Sequence, residues 1–173
     1  MTMSDTIEIY VADLAAYNNG TLHGGWIDAT LSVDEIYAII NTLLKSSPEE
    51  GAEEYALHDY SGFEGLRISE HEGVESAHEK AVFIEEHGAL GGAVASYFGD
   101  DIEDAKKALS EGYIGEYTSI ADYARELTED THDLPPYIEN YIDYQAMARD
   151  MDMNGDFFTI ELGFEQIHLF HNL

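Results

Sequence analysis

Only 7 lysines and arginines stand against 36 aspartates and glutamates in this chain, a formal net charge of −29. So few cations cannot pair so many carboxylates. Any fold must therefore carry most of them on its surface and hold together against its own repulsion. Acidity of this degree with few aromatics would read as disorder. Here 12 Tyr, 7 Phe and 1 Trp run through periodic apolar patterns in a chain that is 45% apolar, which is core material for an ordered protein. Such a surface repels nucleic acid, membranes and acidic ligands, and it attracts cations or a strongly basic partner.

A length of 173 residues suits one ordinary domain or two or three small ones. With no cysteine there is neither a disulfide frame nor thiolate chemistry, which fits a reducing cytoplasm. The opening "MTMSDTIEIY" lacks the basic and apolar regions of a signal peptide, and no apolar run approaches ~18 residues. The expectation is a soluble cytoplasmic protein without a membrane contact.

Along the chain, "TIEIYVADL" alternates with Ile7, Ile9 and Val11 on one face, and "GGWIDAT" and "EEYALHDY" read as two further strands. Between them "SVDEIYAIINTLLK" is a helix opened by a Ser32–Glu35 capping box, with Ile36, Ile39, Ile40 and Leu43 as its buried stripe. The glycines of "SGFEGLRISEHEG" mark a loop, followed by two short helices closed by Gly88 and Gly99. Then come a helix in "DDIEDAKKALSEG", a strand in "YIGEYTS", and a helix in "SIADYARELTED" with Ile120, Tyr123, Ala124 and Leu127 inward. Pro135 and Pro136 suit the first turn of a last helix carrying a Tyr137, Tyr141, Tyr144, Ala148 stripe, before strands in "DFFTIEL" and "EQIHLFH". The class is α+β, in three parts: an N-terminal strand-helix unit at 1–62, a helical middle at 63–98 and an α+β C-terminal unit at 99–173.

One short motif fits a known pattern in full. "DMDMNGDFFTIE" places Asp150, Asp152, Asn154, Gly155 and Glu161 at positions 1, 3, 5, 6 and 12 of a calcium loop. Phe158 offers no oxygen at position 9, the exit segment reads as a strand, and no second loop is present. The competing reading is an Asn-Gly turn between helix and strand, with no metal site. His168 and His171 are three apart and so face opposite ways on a strand, and adjacent His58 and Asp59 also diverge. No nucleophile elbow, phosphate loop or zinc-protease motif occurs, so neither an enzyme nor a cofactor is expected.

The carboxylates themselves are patterned. Asp122, Glu126 and Glu129 recur at i, i+4 and i+7, and Glu139, Asp143 and Asp150 would fall within roughly 40° of arc on one continuous helix. Asp101, Asp104, Glu111 and Glu116 extend the track, and Asp130 and Asp133 are candidates with them. Like charges at this spacing each cost a helix about 0.2–0.5 kcal/mol, more than solubility alone requires. Duplex DNA carries one charge per ~1.7 Å of axis, so a charge of 29 equals that of roughly 15 base pairs. Carboxylates three or four apart on a helix lie about 5–6 Å from one another, a spacing that groups placed for phosphates can meet.

Four stretches in order also resemble the ArdA-type antirestriction proteins: "IYVADLAAYNNGTLHGGWIDA", "EEYALHDYSGF", "GEYTSIADYARELTED" and "LPPYIENYIDYQAMARDMDMNGDFFTIE". Residues 64–98 resemble the family least. The resemblance implies an elongated, curved homodimer of three small domains per subunit, encoded on a mobile element. Its carboxylates would replace DNA phosphates in the groove of a type I restriction-modification enzyme, with no catalysis. It makes "ELTEDTHDLPPYIENYID", residues 126–143, the counterpart of the family's antirestriction stretch. A calcium-responsive module at 150–161, or an acidic decoy for some other basic DNA-binding protein, are the rival readings.

Overall fold

A computed structural model describes residues 6–173. Contacts divide the chain into two compact units, one reaching Ile102 and the other running from Glu103 to Leu173. The class is α+β, with helices and two small antiparallel sheets.

In the first unit, β1 (Glu8–Asp13) lies between β2 (Gly24–Asp28) and β3 (Tyr55–Ser61), antiparallel to both. The period-2 alternation buries Ile9 and Val11 completely, and α2 (Val33–Lys45) lies against this sheet through Ile36 and Ile40. The capping box forms. Ser32 Oγ accepts from the Glu35 N–H at 3.3 Å, and the Glu35 carboxylate accepts from the Ser32 N–H at 3.0 Å. The buried stripe is narrower than its sequence pattern. Ile39 is 40% exposed and Leu43 half-buried, because this side of α2 lines an open apolar groove with His23, Ala38 and Gly24, the side-chain-free start of β2. A one-turn helix, α1 (Leu14–Asn18), follows β1 directly, its Ala16 N–H held by the buried Asp13 carboxylate at 3.2 Å.

The loop after β3 is more than a boundary, since its Phe63, Leu66 and Ile68 are buried. They lie near α3 (Val74–Tyr97), which is two helical pieces joined at Gly88, where φ of 59° and ψ of −148° break the spiral. Gly91 and Gly92 weaken a helix but are required by contact. A Cβ on Gly92 would sit 2.2 Å from the Glu64 carbonyl oxygen. At the start of α3, Lys80 Nζ lies 2.6 Å from the Glu72 carboxylate and donates to the Arg67 carbonyl at 2.9 Å. Glu72 also accepts from the Ser76 hydroxyl and the Ser69 N–H.

The second unit begins at the start of α4 (Ile102–Lys107), which loosens into a π-helical turn, Ala108–Gly112. Its sheet places β6 (Gln166–His171) between β4 (Tyr113–Tyr117) and β5 (Phe157–Gly163), all antiparallel. Leu169 and Phe170 are fully buried, and the Phe158 and Phe170 rings stack at 5.0 Å. Buried His168 shares a 2.9 Å hydrogen bond with the Tyr113 hydroxyl, while His171 is exposed on the other side.

Helix α5 (Ile120–Thr131) packs on α7 (Tyr144–Asn154). The small residues Ala121, Ala124 and Ala148 are the buried ones, since only short side chains let two helix backbones close on each other. This rotates α5 by about one residue from the expected face, leaving Leu127 exposed and Tyr123 half-buried.

A single helix from residue 137 to 150 does not form. Pro135 and Pro136 open only one turn, α6 (Pro136–Glu139), and the chain then bends at Asn140 and Tyr141. Asp143 starts α7 afresh as its N-cap, accepting from the Ala146 N–H at 3.0 Å. An aspartate that can bond a following N–H favours a helix start over a helix interior, which is why the break falls here. The expected tyrosine stripe is therefore split. Tyr144 stays half-buried beneath the Arg125 guanidinium, 5.3 Å from its ring centre, and Ala148 is buried, whereas Tyr137 is 73% and Tyr141 87% exposed.

A candidate acidic binding surface

The regular part of the surface is α5. Ser119 caps it by accepting from the Asp122 N–H at 3.1 Å, and an acid in the first turn suits the helix dipole. One turn on and beyond come Glu126, Glu129 and Asp130, all exposed. Asp122 is half-buried and engaged: the Thr118 hydroxyl donates to it and Arg125 lies 3.9 Å away. Glu126 accepts from the Tyr117 hydroxyl at 3.2 Å, which fixes one end of the row. The same carboxylate, together with burial as the larger cause, pushes the Tyr117 hydroxyl above its ordinary pKa.

Beyond α5 the chain projects. From Glu129 to Tyr141 every residue is exposed except half-buried Leu134, and α6 packs extensively on no other element among the described residues. The turn at Asp133–Pro136 brings Glu139 back beside the end of α5, so that Glu129, His132, Asp133 and Glu139 line one shallow recess. Sequence spacing could not find this grouping, which joins residues ten apart through an irregular loop.

The other expected positions are distributed. Asp104, Glu111, Glu116, Asp143 and Asp150 are exposed in the second unit, and Asp101 is exposed in the first. Glu139, Asp143 and Asp150 do not share a helix face, since they occupy the end of α6, the cap of α7 and the body of α7. The cations of the second unit are Lys106, Lys107, Arg125 and Arg149, of which Lys106 pairs with Glu103 at 3.0 Å and Arg125 is held between Asp122 and Tyr144. Among the described residues, no lysine or arginine lies within ion-pair distance of Glu129, Asp133 or Glu139.

The calcium-loop reading fails on geometry. Asp150, Asp152 and Asn154 lie within α7, Gly155 ends that helix in the left-handed conformation at φ 72°, and Glu161 is on β5. On this helix Asp152 lies on the side opposite Asp150 and Asn154, so loop positions 1, 3 and 5 do not converge on one ion. The segment is the helix-to-strand turn that the Asn-Gly pair also allows. Among the described residues no group of three or more His, Asp and Glu is placed to hold a metal ion. No helix of the described residues is long and apolar enough to cross a membrane.

The fold and its surface thus define a class: an acidic α+β protein that displays carboxylates on a helix and a projecting arm. Residues 9–166 match the family model described as antirestriction protein (ArdA), and the chain belongs to that family. Comparison with curated proteins found no match.

Proposed function

We propose that this protein is a DNA mimic that blocks restriction by occupying the DNA-binding groove of a type I restriction-modification enzyme. The observation that carries this reading is the exposed row Glu126, Glu129, Asp130 and Asp133, joined by Glu139, in a unit with few cations. The groove of such an enzyme must be lined with lysine and arginine to hold phosphates. Carboxylates fixed about 5–6 Å apart on a helix offer it the same charge without bases. Binding is then independent of sequence, gains from the release of counterions, and weakens as salt rises. Asp101, Asp104, Glu111, Glu116, Asp122, Asp143 and Asp150 extend the negative field, Asp122 less than the others because Arg125 and Thr118 already engage it.

The same reading includes a homodimer acting in the cytoplasm, where incoming DNA meets the enzyme. It also divides the first unit near residue 62 into a strand-helix part and a helical part. Exposed Leu162, Phe164 and Leu173, at the hairpin and terminus of the second sheet, suit a contact between copies. The function is tested by DNA binding of a purified type I enzyme with increasing amounts of this protein. The expected result is competition at low salt that weakens at moderate salt. Absence of competition at low salt overturns the reading.

A further inference from the structure

The projecting arm is not only acidic. Among Glu129, Asp130, Asp133 and Glu139 it carries Tyr137 and Tyr141, the latter 87% exposed, with Ile138 open between them. A solvated acidic loop has no use for two uncovered aromatic rings, and apolar surface rimmed by charge marks a place where something docks.

The backbone that carries the rings is constrained. Pro135 and Pro136 fix two backbone torsions, and the turn is closed by the Ile138 N–H on the Pro135 carbonyl and the Tyr141 N–H on the Ile138 carbonyl, both at 2.9 Å. A tyrosine has only two side-chain torsions to lose, so fixing its ring on binding costs little.

We propose that Tyr137 and Tyr141 serve as surrogates for bases, as the neighbouring carboxylates serve as surrogates for phosphates. In a duplex the base faces are covered by their neighbours, but an enzyme that modifies a base flips it out of the stack into a pocket that holds it between aromatic and apolar side chains. A tyrosine ring offers a flat face to such a pocket too. The inference rests on the DNA-mimic reading and adds to it a contribution that salt does not screen.

The charge around the rings selects this occupant over a second copy of the chain. In a two-fold contact the same patch appears on both sides, so Asp133 and Glu139 would face carboxylates like themselves as water is removed. A basic groove brings the opposite sign.

The test measures the affinity of the full-length protein for a purified type I restriction-modification enzyme across a salt series. The variants are Tyr137→Ala, Tyr141→Ala, Tyr141→Phe and, for contrast, Glu129→Gln with Asp133→Asn. Each alanine change is expected to weaken binding by about 5- to 100-fold with the slope of log affinity against log salt unchanged, and Tyr141→Phe to keep most of the affinity. The carboxamide pair is expected to flatten that slope. Thermal melts stay at the wild-type value, because both rings are outside the core. Alanine variants that bind as tightly as wild type overturn the base-surrogate role and leave mimicry standing. A wild-type protein that does not bind overturns both. Alanine variants that lose self-association in ultracentrifugation place the rings between copies, and so overturn this proposal alone.

Discussion

Substituting Gly92 by alanine separates intrinsic helix preference from packing, because the two predict opposite signs. Alanine is the better helix former by about 1 kcal/mol, so in an isolated helix the change stabilises. In this fold the added Cβ would stand 2.2 Å from the Glu64 carbonyl oxygen and 2.7 Å from the Glu64 Cβ, against ordinary contact at 3.4 Å or more. Helix or loop must give by about an ångström. The loop has little freedom to do so: Glu64 already sits at φ 50°, and Phe63 and Leu66 beside it are buried to within 2% of full burial. Overpacking of this kind costs about 1–3 kcal/mol, and displacing two buried apolar side chains puts it at the upper end. After the helix gain is subtracted, roughly 2 kcal/mol of destabilisation remains, which lowers the melting temperature of a unit this size by roughly 10 °C. Calorimetric melts of Gly92→Ala and Ala93→Gly together make the test. Preference alone raises the first and lowers the second, while packing lowers both. A Gly92→Ala protein melting at or above wild type refutes the close approach of α3 to the 62–66 loop.

Three further outcomes follow from other contacts. Lys80→Met strips the cation from a mostly buried carboxylate and is expected to cost about 3 kcal/mol in urea unfolding at neutral pH. Burial alone would raise the Glu72 carboxyl, but the bonds from Lys80, Ser76 and the Ser69 N–H outweigh it and hold the group below its ordinary 4.5. Its contribution is therefore complete above pH 4.5 and lost as pH falls through the lower folded value, so Lys80→Met should flatten the acid limb of a stability-against-pH curve. Ser32→Ala removes the α2 cap and should lower the unfolding free energy by about 1 kcal/mol, whereas an unchanged urea midpoint would mean that the cap is idle. Titration calorimetry with calcium should show no binding heat, in wild type or Glu161→Ala; a saturable signal lost in that variant would revive the loop at 150–161.

Where a local signal and its tertiary use coincide, the sequence could be read directly. The alternation of Ile7, Ile9 and Val11 is a strand because one face of β1 is core, and Ser32 and Glu35 close their box within four residues. Gly88 was legible as a helix end for the same reason, since a positive φ is a local requirement. Faces decided by a neighbour were not. Ile39 and Leu43 continue the α2 stripe in pattern, but the groove beside them is open, and Leu127 yields the inward position to Ala121 because α7 approaches so closely. For the acidic surface, Asp122, Glu126 and Glu129 were legible as one helix face because α5 is regular. The alignment of Glu139, Asp143 and Asp150 rested on helical arithmetic carried across a break that Asp143 itself imposes. The meeting of Glu129, Asp133 and Glu139 depends on the path of an irregular turn, which no periodicity encodes.

The row of acids on α5 ties folding and docking to ionic strength in opposite senses. Added electrolyte quiets the mutual repulsion of Glu126, Glu129 and Asp130 and so firms the helix, while it thins the pull toward a basic cleft. If the proposed docking into a basic groove holds, the protein binds most tightly where its own fold is most stressed, and the cations of that groove would relieve the stress on binding.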